Sequence, residues 1–190
     1  MILLGVMLLT GTTLIAQDSV KVADPKPNPF SFNGYMEAYY QYDFNKPTDN
    51  NRPGFIYSHN RHNEFNLNLG FLKGSYNAER VRANLAIAAG TYMNANYSAE
   101  TGVLKNIYEA NAGVKISKKK NLWIDAGIFS SHIGFESALS KDCWTLTRSL
   151  LADNSPYFES GAKLTYTSNN NKWLISGLVL NGWQRIKRVD

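Results

Sequence analysis

The sequence predicts an all-β fold: an antiparallel up-and-down transmembrane β-barrel, with about seven strands present in 190 residues. Three observations lead there. Apolar and polar side chains alternate with period two along most of the chain, the pattern of a strand with two different faces. Most of these stretches reach the roughly 9–11 residues that a tilted membrane strand needs. The connections between them alternate long and short without exception: 45–62, 73–79, 93–103, 117–121, 131–156 and 168–171. An antiparallel meander puts every second connection at the same end, so one end carries loops and the other tight turns.

The elements follow in chain order. Residues 1–16 read as a signal peptide: Ile2 to Ala16 is apolar or small, too short to span a bilayer, and Ala16 precedes a plausible cut. Two details depart from that pattern: no Lys or Arg precedes the apolar run, and Leu14 is large for its place before the cut. The absence of a following cysteine excludes a lipoprotein anchor. Residues 17–29, with Pro25, Pro27 and Pro29, read as an extended linker, and 30–190 as the barrel.

From Phe30 to Phe44, Phe32, Met36, Ala38, Tyr40 and Tyr42 share one face, and Asn33, Tyr35, Glu37, Tyr39 and Gln41 the other. In the next strand Phe65, Leu67, Leu69 and Phe71 oppose Glu64, Asn66, Asn68 and Gly70. Val81, Ala83, Leu85, Ile87 and Ala89 oppose Arg80, Arg82, Asn84, Ala86 and Ala88 within Arg80 to Tyr92. Tyr108, Ala110, Ala112, Val114 and Ile116 oppose Glu109, Asn111, Gly113 and Lys115; Leu122, Ile124, Ala126 and Ile128 oppose Trp123, Asp125 and Gly127. Phe158, Ala162, Leu164 and Tyr166 oppose Glu159, Gly161, Lys163 and Thr165, and Trp173 to Trp183 is apolar on both faces. Turn residues fill the short connections, as in Lys73-Gly74-Ser75 and Ser168-Asn169-Asn170-Asn171.

Composition closes off other classes. The chain is 44% hydrophobic and 13% aromatic, too rich in core-forming residues for disorder. Its mean hydropathy of −0.32 excludes a helical membrane bundle. One cysteine excludes a disulfide framework. A charge of +5 with no long basic tract gives no reason to expect nucleic acid as a partner.

Lipid offers backbone groups no hydrogen bonds, so a spanning sheet must close on itself, its apolar face toward lipid and its polar face toward water. The candidate pore-lining charges are then Glu37, Glu64, Arg80, Arg82, Glu109, Lys115, Asp125, Glu159 and Lys163. Arg80 and Arg82 are placed to pair across the sheet with Glu64 or Glu109. Tyr40, Tyr42 and Phe44 at one end, and Trp123 and Trp173 at the other, fit interfacial girdles. In the long loop, Leu139, Cys143, Leu146 and Leu150 recur as on one helix face. That loop either folds into the lumen and narrows it or packs on the rim.

Neither catalysis nor metal binding is expected. His59 and His62 share a polar loop with Asp49, Arg61 and Glu64, a setting in which histidine is common. Ser130-Ser131-His132 are adjacent on a strand and cannot converge on one site, and no Gly-x-Ser-x-Gly turn is present.

Several stretches carry a family resemblance: Phe32-Asn33-Gly34-Tyr35 with Glu37, Asn60 to Leu67, Ile107-Tyr108-Glu109-Ala110, Ile133-Gly134-Phe135-Glu136, Arg148 to Ala152 running into Ser155-Pro156-Tyr157, and Asn181-Gly182-Trp183-Gln184. In order and spacing they resemble the OmpL-like β-barrel porin-2 family of Gram-negative outer membranes. The resemblance implies an exported outer-membrane barrel, a porin-like channel for passive diffusion of ions or small hydrophilic solutes. Its partners would be outer-membrane lipid and those solutes, with homo-oligomers left open and no cofactor. The odd strand number and the ending Lys187-Arg188-Val189-Asp190, without a terminal aromatic, read as the N-terminal portion of such a barrel. The rival readings are a non-conducting structural or adhesive barrel and a soluble exported β-barrel that binds a small apolar ligand.

Overall fold

The structure, a computed structural model, describes residues 28–134 and 136–188. The predicted signal peptide, most of the linker and Phe135 lie outside the described residues. Seven strands form one sheet: β1 (Phe30–Tyr40), β2 (Phe65–Asn77), β3 (Val81–Ala89), β4 (Ile107–Lys115), β5 (Asn121–Ser130), β6 (Phe158–Thr167) and β7 (Leu174–Leu180). Each pairs antiparallel with the next, in the order β1-β2-β3-β4-β5-β6-β7. The fold is therefore all-β and up-and-down, as the alternation predicts. Among the described residues the sheet stays open, with β1 and β7 as its edges.

The connections 78–80, 116–120 and 168–173 gather at one end; 41–64, 90–106 and 131–157, with the segment 181–188 after β7, gather at the other. Two short helices, α1 (Thr91–Asn96) and α2 (Leu150–Asp153), sit in the loops. The pattern carried the predicted third strand on to Tyr92, but Gly90 ends it. Its φ is +128°, and a Cβ there would lie 2.3 Å from the Asn68 carbonyl oxygen. Only glycine combines that backbone with that approach.

The apolar side chains of the sheet are bare. Phe65 is 87% exposed, Leu72 76% and Val179 78%, and Val81, Leu85, Ile124 and Leu164 are also exposed. The polar-face residue Asp125 is 4% exposed. This is the reverse of a soluble sandwich.

Two β-bulges shift the predicted alternation. Glu37 pairs with Leu69 and Ala38 with Leu67, leaving Asn68 as an extra residue. Beyond it the phase of β2 inverts, so Leu69 and Phe71 join the polar face while Gly70, Leu72 and Gly74 join the apolar one. Ala86 pairs with Glu109 and Ile87 with Ile107, leaving Tyr108 extra. Its ring stacks on Phe71 at 5.2 Å, so Tyr108 is not on the predicted apolar face.

Leu69 heads the main buried cluster, at the loop end, with Tyr92, Met93, Tyr97, Tyr157 and Phe158. Phe158, expected to face outward, is buried with its ring stacked on Tyr97 at 4.0 Å.

Candidate functional site

The polar face is organised in rows across the strands. In one, Arg82, Gly113, Asp125 and Lys163 are successive register partners on β3 to β6. Arg82 Nε donates to Asp125 Oδ1 at 2.6 Å, and Nη2 to Oδ2 at 2.5 Å. The pair skips a strand, and Gly113 is why it can: a Cβ at 113 would lie 2.1 Å from Asp125 Oδ1. The guanidinium also lies over the Trp123 ring, 4.3 Å from its centroid. Trp123 thus belongs to the polar face and not to the predicted girdle.

A second row repeats the device one strand earlier. Lys73, Ala86 and Glu109 are register partners on β2, β3 and β4. Lys73 Nζ donates to Glu109 Oε2 at 2.5 Å over the small side chain of Ala86. Between these rows runs a neutral ladder in which Ser75 Oγ donates to Asn84 Oδ1 at 2.8 Å and Asn84 Nδ2 to Asn111 Oδ1 at 3.1 Å. In the third charged position, Lys163 lies over the Phe129 ring at 4.5 Å, and buried Glu159 pairs in register with Phe129.

The predicted residues therefore divide. Arg82, Glu109, Asp125, Glu159 and Lys163 lie together on the polar face of β3 to β6. Lys115 continues it at the turn end of β4, opposite Trp123. Glu37 stands apart, on β1. Arg80 lies in the turn 78–80, where Nη2 donates to the Lys115 carbonyl at 3.2 Å. Glu64 lies in the loop before β2. Arg61 grips its carboxylate twice, at 2.8 and 3.0 Å, and holds it down to about 2. Sequence reasoning missed Lys73, placed in a predicted turn, and Asn68 and Tyr108, whose roles come from the bulges.

The long loop 131–157 crosses the polar face. Ser140 Oγ reaches β1, donating to Glu37 Oε1 at 2.7 Å, and Lys141 Nζ lies 5.7 Å from the centroid of the Tyr35 ring. A cavity of about 420 Å³ separates the loop from the sheet, lined by Phe71, Lys73, Tyr108 and Glu109 below and Ala138 and Leu139 above. Among its described residues the loop has no long helix. A 3-10 turn spans Ser140–Asp142, α2 is capped by Ser149 Oγ, and Leu146 and Leu150 are exposed. The predicted helical face is absent because only Leu139 of that set packs against the core. Arg148 instead anchors the loop: its guanidinium lies on the Tyr157 ring, and Nη2 meets Asp153 Oδ1 at 3.4 Å. Burial raises the Asp153 carboxyl and lowers the Arg148 guanidinium from their ordinary values.

The family model for putative beta-barrel porin-2, OmpL-like, matches residues 29–190, the whole of the described sheet. The chain belongs to this family. No curated protein and no solved structure matches it. Membership in a porin-type β-barrel family accounts for what the geometry shows. The fold is a meander with one bare aliphatic face and one face of paired charges, and a long loop lies over the latter.

Proposed function

We propose that this porin-2 family member is a passive, non-enzymatic outer-membrane channel for ions or small hydrophilic solutes. Its aliphatic face would lie against lipid and its polar face would line the water path, narrowed by loop 131–157. One observation carries the reading. Large apolar side chains such as Phe65 and Leu72 are left bare while Arg82, Asp125, Lys73 and Glu109 pair on the opposite face. In water that arrangement is unfavourable by about 1.5–3 kcal/mol for each large side chain left exposed; in a bilayer it is the favourable one.

A second reading, a barrel with a filled lumen, has its own support at the loop end. Gln184 Nε2 donates to the Asn96 carbonyl at 2.8 Å, and the Ile186 N–H to Glu100 Oε1 at 2.7 Å, so segment 181–188 is knit to loop 90–106. Planar-bilayer recordings on the purified protein separate the two. Discrete conductance steps in potassium chloride are expected. A protein that inserts, shown by heat-modifiable migration, yet passes no current would sink the channel reading.

A further inference from the structure

One carboxylate on the polar face differs from Glu109 and Asp125. Among the described residues Glu37 has no lysine or arginine partner from another strand; it gathers donors from three other parts of the chain and from its own strand. Tyr35 Oη donates to Oε2 at 2.7 Å, Ser140 Oγ to Oε1 at 2.7 Å, and Asn68 Nδ2 to Oε1 at 3.3 Å. The fourth donor is His59 Nε2, from loop 41–64. His59 is itself held from three sides. Its backbone N–H donates to Asn68 Oδ1 at 2.9 Å, its ring sits edge-on to Tyr39 at 5.0 Å, and it is 3% exposed. Its φ of +51° is uncommon for a residue with a side chain, so the surroundings impose the pose. Asn68, the bulge residue, thus holds both partners of the His59–Glu37 pair.

We propose that Glu37 is a positioning residue, a single clasp that holds loop 41–64 through His59 and loop 131–157 through Ser140, so that the two loops release together. Both contacts converge on one oxygen, Oε1. Among the described residues no hydrogen bond joins His59 to loop 131–157, and Glu37 Oε1 is the acceptor that the two loops share. Moving Glu37 to free one loop removes the acceptor of the other. The effect on solute passage rests on the channel reading; the clasp itself does not.

The chain supplies its own reporter. Its one cysteine, Cys143, lies three residues beyond Ser140. Cys143 Sγ points to the Ser137 and Leu139 carbonyls, at 3.3 and 3.5 Å, and burial pushes its thiol up, which slows reaction. The test is the rate of maleimide labelling of Cys143 in the lipid-inserted protein. Glu37→Ala, Ser140→Ala and His59→Ala are each expected to raise it about tenfold, the population change that one lost charge-assisted hydrogen bond brings. Ser140→Thr, which keeps the hydroxyl, is expected to restore the wild-type rate. Unchanged labelling in Ser140→Ala overturns the clasp. A rise in Ser140→Ala without one in His59→Ala overturns the coupling. Unaltered heat-modifiable migration shows that each variant folds. The readout needs no current, so labelling as expected in a protein that does not conduct would sink the channel and leave the clasp standing.

Discussion

Gly113→Ala is the sharpest test of how the polar face is built. The new methyl carbon would lie 2.1 Å from Asp125 Oδ1, 2.9 Å from its Cγ and 3.1 Å from the Ile124 carbonyl oxygen. The first two contacts cannot be tolerated, so the Asp125 side chain must swing away and break its paired bonds to Arg82. Two effects compete. Replacing glycine stiffens the unfolded chain and favours folding by about 0.4–1 kcal/mol. Losing hydrogen bonds between charged groups costs about 1.5–3 kcal/mol. The value belongs in the lower half of that range, because the Arg82 side chain is 33% exposed and can be rehydrated, while that of Asp125 is 6% exposed. The net expectation is a loss of about 1 kcal/mol. Gly177→Ala is the control: nothing lies within 4 Å of a Cβ there, so only the chain-stiffening term remains and the variant should be slightly stabilised. Urea unfolding in lipid vesicles measures both. Repeating Gly113→Ala in an Asp125→Ala background should remove most of the loss. An equal loss there would show that the penalty comes from the backbone contact and that glycine is not what permits the strand-skipping pair.

Two further outcomes follow from the faces and the loops. Leu85→Arg, on the exposed side of β3, should cost about 2–4 kcal/mol in vesicles if that position lies near the bilayer midplane; a change within about 0.5 kcal/mol, normal for a water-exposed site, would contradict the lipid-facing assignment. Glu64, whose carboxyl Arg61 holds down to about 2, favours the folded loop at neutral pH, and this contribution fades as pH falls from the ordinary carboxylate range toward 2. Carbon-detected NMR titration should find the midpoint near that value and Arg61→Gln should return it to the ordinary range; a normal midpoint in the wild type would contradict the pairing.

Strand number, order and the two faces were legible because each rests on period two, which a sheet with one apolar and one polar face enforces residue by residue. The alternation of loop lengths was legible for a separate reason: antiparallel order puts every second connection at the same end, and here one end carries the long ones. Bulges were not. Asn68 and Tyr108 each insert one residue, and a shift of one exchanges the faces, so Leu69, Gly70, Phe71 and Tyr108 were misassigned by runs whose alternation looks unbroken. The ion pairs were misjudged for a different reason. Arg82 was expected to pair with a neighbouring strand, yet its partner lies two strands away, because Gly113 between them presents no side chain. A missing side chain leaves no sign in an alternation pattern. His59 and Ser140 were indistinguishable from other polar loop residues, since their role depends on two loops meeting at Glu37.

The strand-skipping pairs bear on what such a wall can select. A ring of one sign sets ion preference in a pore. Here Lys73 and Arg82 are each bound to a carboxylate of the same row, and Lys163, whose ammonium lies over Phe129, is the register partner of Asp125. The Lys73–Glu109 and Arg82–Asp125 pairs thus each bring opposite charges within a few ångströms, and their fields cancel over distances shorter than the roughly 8 Å at which physiological salt screens a free charge. In the channel reading these pairs wet the path without favouring either sign, and Lys163, whose register partner Asp125 is already paired with Arg82, adds one positive charge. Discrimination among solutes then falls to the groups that stand in the path: Lys141 over Tyr35, and the Ser140 contact that Glu37 holds in place. The channel reading then leaves much of the selectivity to a loop that Arg148 anchors on Tyr157 and that Ser140 ties to Glu37, so a change of that one carboxylate should alter passage.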